Sequence, residues 1–129
     1  MSEDDGSIER PAHDRGGALP SGVPLQMIAA RDIGRVAAVA LLDPDRIGGG
    51  AVEIAGDELT GEQVAAAFGQ TDGRKARYEA LPLDALADNA DLRAMFGWFA
   101  QQPAYQADFE LTRDLDPGVW DFRTWLVNR

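Results

Sequence analysis

An α/β fold is predicted, with about three short strands followed by a mostly helical C-terminal lobe. The first of the observations behind this is the stretch "AVEIAGDELTGEQVAAAF", residues 51–68, which reads as strand, turn, cap and helix. A similar strand-to-helix pattern precedes it in "VPLQMIAARDIGRVAAVALLDPD". Last, "DLRAMFGWFAQQ" carries Leu92, Met95, Phe96 and Phe99 at helical spacing with no strand pattern after it.

Residues 1–22 are polar, rich in Gly and Pro and lack a hydrophobic period, so a disordered N-terminal arm is expected there. The single folded domain is then 23–129, a length that supports one core. Residues 25–29 are the expected first strand. Asp32 is the expected N-cap of the helix that follows, and Ile33, Val36, Ala37 and Ala40 its buried face. Asp43-Pro44 ends that helix because the residue before proline is driven out of the α region. Gly48, Gly49 and Gly50 make a flexible connection.

Residues 51–55 are the expected second strand, and Gly56-Asp57 the turn after it. "TGEQ" at 60–63 is a capping box, Thr60 bonding forward and Gln63 reaching back. Val64, Ala67 and Phe68 form the apolar face of the helix, and Gly73 stops it. "KARYEALP", residues 75–82, is the third strand. "AYQADFELTRDL" is a weaker helix and Pro117-Gly118 a turn. "DFRTWLVNR" is a last short helix anchored by Phe122, Trp125 and Leu126.

Charge and composition exclude several functions. A formal charge of −10 argues against nucleic acid and anionic membrane as partners, since both need a basic face to displace counterions. The densest basic group, Arg74, Lys75 and Arg77, reads as the solvated side of a strand. With no cysteine there is no disulfide, thiolate metal site or thiol nucleophile. Apolar runs fall far short of the ~20 residues of a spanning helix. The acidic start "MSEDDGSIER" is no secretory signal, so a cytoplasmic location is expected.

Motifs for chemistry are absent. The glycines at 48 and 50 meet Glu53 where a dinucleotide fingerprint needs a third glycine, and they precede a strand rather than a helix. A Tyr-x-x-x-Lys pair fails at Pro82 and at Phe109. The only histidine, His13, and the serines Ser2, Ser7 and Ser21 all fall in the arm, which could not hold a catalytic triad. No catalytic, metal or cofactor-binding residue is therefore assigned.

Three carboxylate pairs, Asp43 with Asp45, Asp57 with Glu58 and Asp114 with Asp116, lie in turns or beside caps. Carboxylates there ordinarily serve the backbone or face water. A hard-cation site at Asp43-Pro44-Asp45 lacks further ligands. Met95, Phe96, Trp98, Phe99 and Tyr105 have two readings. Helical spacing favours a packing core. Met95, Trp98, Phe99 and Tyr105 are also the candidate lining for a small apolar ligand.

The segments "IAARDIGRVAA", "VEIAGDELTGEQVAAAF", "GRKARYEALPLDAL", "MFGWF" and "TWL", in that order, resemble the C-terminal half of NmrA-like proteins. These are atypical members of the short-chain dehydrogenase/reductase superfamily. The resemblance runs from residue 18 onward. It implies a partial, Rossmann-like remnant in which residues 51–55 are a late edge strand of the sheet. The helices after residue 81 would form the smaller lobe over a substrate or effector cleft.

The same resemblance implies a parent that binds NAD(P) through an N-terminal glycine-loop half. That half is missing from this sequence, so a truncated protein is expected that binds no coenzyme and catalyses nothing by itself. The family holds both redox sensors and reductases. Implied partners are a small apolar ligand, a second copy of the chain, or a separate Rossmann half. An interaction module completing a Rossmann sheet and a free-standing small-molecule binder are the alternatives.

Overall fold

The computed structural model describes residues 14–129, with side chains from residue 18. Among the described residues, four short strands and five α-helices follow one another in a mixed α/β, partial Rossmann-like architecture. The strands are β1 (Asp14–Gly17), β2 (Leu25–Met27), β3 (Asp57–Leu59) and β4 (Arg77–Ala80). The helices are α1 (Ala30–Leu42), α2 (Gly61–Asp72), α3 (Ala90–Ala100), α4 (Phe109–Leu115) and α5 (Phe122–Asn128). Two strand pairs form: β1 runs parallel to β4, with Asp14 opposite Arg77, and β2 runs antiparallel to β3, with Leu25 opposite Leu59. The helical C-terminal part is as expected.

The expected disordered arm is corrected over its described residues. Asp14–Gly17 is a strand, because ladder hydrogen bonds to β4 need no apolar side chains. Ala18 and Leu19 behind it are buried, and the Tyr78 hydroxyl donates to the Leu19 carbonyl. Farther on, the Gly22 N–H donates to Glu62 Oε1 at 3.2 Å. His13, Ser2 and Ser7 lie outside the described residues.

Residues 51–55 are also corrected: they form no strand, and so no late edge strand. Two of their polar groups bond to the C-terminal lobe instead of a ladder. The buried Ala55 donates its N–H to Thr112 Oγ1 at 3.3 Å, and Glu53 Oε1 accepts from the Gln106 N–H at 2.7 Å. Pairing begins instead at Asp57, where the sequence predicts a turn.

Gly56 sits at the junction. A Cβ there would run into the carbonyl oxygen of Trp120, so only glycine lets the two segments approach. Helix α2 begins with the expected capping box: Gln63 N–H donates to Thr60 Oγ1 at 3.2 Å, and Thr60 N–H to Gln63 Oε1 at 2.9 Å. It ends at a left-handed Gly73, as expected.

Helix α1 starts three residues before its expected first turn. Ala29 occupies the cap position, and Asp32 is turned inward, fully buried. The helix buries Val36, while Ile33 is 50% exposed and Leu41 83%. On α3 only Phe99 of the expected stripe is buried; Leu92 and Met95 are exposed. The core draws instead on Ala55, Ala65, Ala67, Leu115 and Leu126, with Phe68 of α2 set edge-on to Phe122 of α5 at 5.5 Å.

Candidate functional site

Where β2 runs into α1, the chain faces the segment joining α4 to α5. Met27, Ile28, Ala29 and Ala30 form one wall of a cleft, Trp120, Asp121, Phe122 and Trp125 the other, and Asp57 stands between them. The cleft, open to solvent on one side, has a volume of about 250 Å³, enough for a small organic molecule.

Backbone bonding explains why these walls meet. The Gly56 N–H donates to the Met27 carbonyl at 2.8 Å, tying the start of β3 to the end of β2. Asp57 then bridges the walls: its Oδ1 accepts from the Glu58 N–H at 2.8 Å and its Oδ2 from the Phe122 N–H at 2.9 Å. Asp121 caps α5 by accepting from the Thr124 N–H at 2.8 Å. That bonding to Thr124 holds the Asp121 carboxyl below the usual aspartate range, so it stays ionised near neutral pH.

The Trp120 wall is fastened from behind by α1. Asp32 Oδ2 accepts from the Trp120 N–H at 3.1 Å. Arg31 donates through Nη2 to the Gly118 carbonyl at 2.8 Å and through Nε to Asp32 Oδ1 at 3.2 Å, and its guanidinium lies 3.9 Å from the Trp120 ring centroid. Against Asp32 lies Asp116, also buried; its Oδ2 has no hydrogen-bond donor among the described residues and its Oδ1 is 4.0 Å from Arg35 Nη1.

Two carboxyls so close and so dry do not both ionise readily. Burial, then the neighbouring Asp32, pushes Asp116 up from its ordinary value. Burial also acts upward on Asp32, but hydrogen bonds from Asp116 and the Trp120 amide, with the charge of Arg31, outweigh it and leave Asp32 low. Asp116 is therefore the member of the pair that keeps its proton to higher pH.

The residues singled out in the sequence lie elsewhere. Trp98, Phe99 and Tyr105 do come together, with ring centroids 5.1 Å apart for Trp98 and Tyr105 and 5.6 Å for Phe99 and Tyr105. Phe99 is buried while Met95, Trp98 and Tyr105 are exposed, and none of the four lines the cleft. The three carboxylate pairs separate into different tasks. Asp43 ends α1, Asp57 spans the cleft, and the exposed Asp114 pairs with Arg46 at 3.3 Å.

Asp116 pairs with the distant Asp32, a partnership no local spacing reveals. Trp120 was likewise missed; its signal is the apolar cluster "VWDF" placed directly after a Pro-Gly turn. Arg74, Lys75 and Arg77 border a larger, more open concavity with Gly73 and Ala76. Among the described residues no three His, Cys, Asp or Glu gather as metal ligands, and no helix is long and apolar enough to cross a membrane.

The layout defines a Rossmann-like α/β protein. It superposes on a nucleoside-diphosphate-sugar epimerase from Staphylococcus aureus with a TM-score of 0.66 at 18% identity, over 88% of this chain and 43% of that one. At that identity the likeness establishes fold, and this chain spans less than half the length of that protein. The NmrA-like family model matches residues 1–121, and the chain belongs to the NmrA-like family, within the NAD(P)-binding superfamily.

Proposed function

We propose that this chain is the substrate or effector lobe of an NmrA-like redox sensor or reductase, acting beside a dinucleotide-binding half that holds NAD(P). The observation that carries this reading is the outer face of α1. Ile33, Ala37 and Leu41, one turn apart along the helix, all face solvent. An apolar stripe of that kind on a soluble protein marks a surface made for further protein. The matched epimerase, more than twice as long, indicates how much additional protein such a fold accommodates.

In this reading the coenzyme is gripped by the other half, and the cleft between Met27 and Trp125 receives the small molecule. The chain alone has neither coenzyme affinity nor turnover. Titrating NADPH against the full chain while following Trp98, Trp120 and Trp125 fluorescence tests this. No saturable change at micromolar coenzyme is expected; tight saturable binding refutes the reading.

A second reading, an interaction module that completes a sheet with another chain, is favoured by the strand pairs. Among the described residues each sheet has two strands. Sheets that small gain stability from additional strands. Light scattering on the eluting protein decides: a species that stays monomeric at high concentration excludes self-association through the strands.

A further inference from the structure

The cleft has a chemistry more specific than its shape. Three of its lining side chains are aromatic, Trp120, Phe122 and Trp125, and the Phe122 and Trp125 rings stack at 5.7 Å between centroids. Among the described residues, the charged groups lining it are two carboxylates, Asp57 and Asp121. Aromatic faces carry negative electrostatic potential and attract cations, above all where water is excluded. Carboxylates beside them add to that attraction and repel anions.

One ring of the cleft already meets a cation. The Arg31 guanidinium lies over Trp120, and its charge is offset by Asp32 at 3.2 Å, so it does not make the cleft positive. The formal charge of −10 acts in the same direction at longer range.

We propose that the cleft binds an organic cation: a substituted ammonium group seated among Trp120, Phe122 and Trp125, facing Asp57 and Asp121, with an apolar or aromatic tail against Met27 and Ile28. This deepens the reading of the chain as a substrate or effector lobe and rests on it. The volume of about 250 Å³ suits a ligand the size of a benzyl-substituted quaternary ammonium. Phosphorylated, carboxylated or sulfonated molecules are excluded from the same place by the two carboxylates.

The test uses the full chain and two probes of nearly equal shape, benzyltrimethylammonium and its uncharged carbon counterpart neopentylbenzene. The indole N–H resonances of the three tryptophans report the site. Trp120 and Trp125 should shift on adding the ammonium while Trp98 does not. The ammonium should bind at least about tenfold more tightly than the neutral probe.

Trp125→Leu keeps an apolar side chain but no aromatic face; it should abolish that preference, with circular dichroism confirming the fold. Trp98→Phe should leave binding unchanged. Equal affinity for both probes overturns the cation preference while leaving a ligand-binding lobe in place. The absence of any shift at Trp120 or Trp125 overturns the site itself. Coenzyme capture in the NADPH titration, by contrast, refutes the lobe reading and leaves the ammonium measurement standing on its own.

Discussion

Asp32 and Asp116 show how much rests on single side chains. Asp32 gathers the Trp120 amide and the Arg31 guanidinium in a buried setting. Asp32→Ala strands both and should cost roughly 2–3 kcal/mol in urea unfolding, with loss of the Trp120 wall. The pH dependence follows from the two shifts. Asp116, raised in the native state, contributes stability that is full below its unfolded value and is lost as pH rises through the native one. Asp32, lowered, contributes above its unfolded value and loses that contribution as pH falls through its native one. Stability from the pair therefore peaks between the lowered and the raised value. Asp116→Asn keeps a donor for Asp32 without a titrating proton, so its stability should no longer decline on the alkaline side. Denaturation midpoints across that window check this.

Helices α1 and α2 are built by different rules and should respond differently to mutation. Helix α2 depends on its own ends. Thr60→Ala removes the capping bond to Gln63 and should destabilise the chain by about 1 kcal/mol, measured as a shift in thermal midpoint. Helix α1 is held by the inward Asp32 and Val36, and its outer face contributes little to this chain. Leu41→Glu, at a position 83% exposed, should change stability by less than about 0.5 kcal/mol. The same substitution should abolish docking to a dinucleotide-binding half, which pull-down with that half measures. The segment 51–55 shows a third rule: backbone without a partner strand, held through Thr112 and Gln106.

The whole chain combines a cleft fastened by long-range hydrogen bonds with an apolar helix face open to solvent. If the proposed dinucleotide-binding half docks on that face, the chain gains stability by mass action. Mixing the chain with a separately produced dinucleotide-binding half of an NmrA-like protein should raise its thermal midpoint. The increase should grow with the concentration of that half. A midpoint indifferent to that half counts against the lobe reading.

What can be read along the chain is local, because it depends on neighbours a few residues apart. The Thr60 and Gln63 capping box, the left-handed stop at Gly73, the helix end at Asp43-Pro44 and the strand around Tyr78 all belong here, and with them the α/β class. The family resemblance was legible for a related reason, since it rests on contiguous motifs. The cleft was not legible. Asp32 looked like a cap until Trp120, brought across from the far end of the chain, claimed its carboxylate. Residues 51–55 looked like a strand until Thr112 took the Ala55 amide. Asp14–Gly17 looked featureless until β4 lay beside it. Each of these outcomes turned on which distant partner satisfied a polar group withdrawn from water, and that choice is made only when the chain closes on itself.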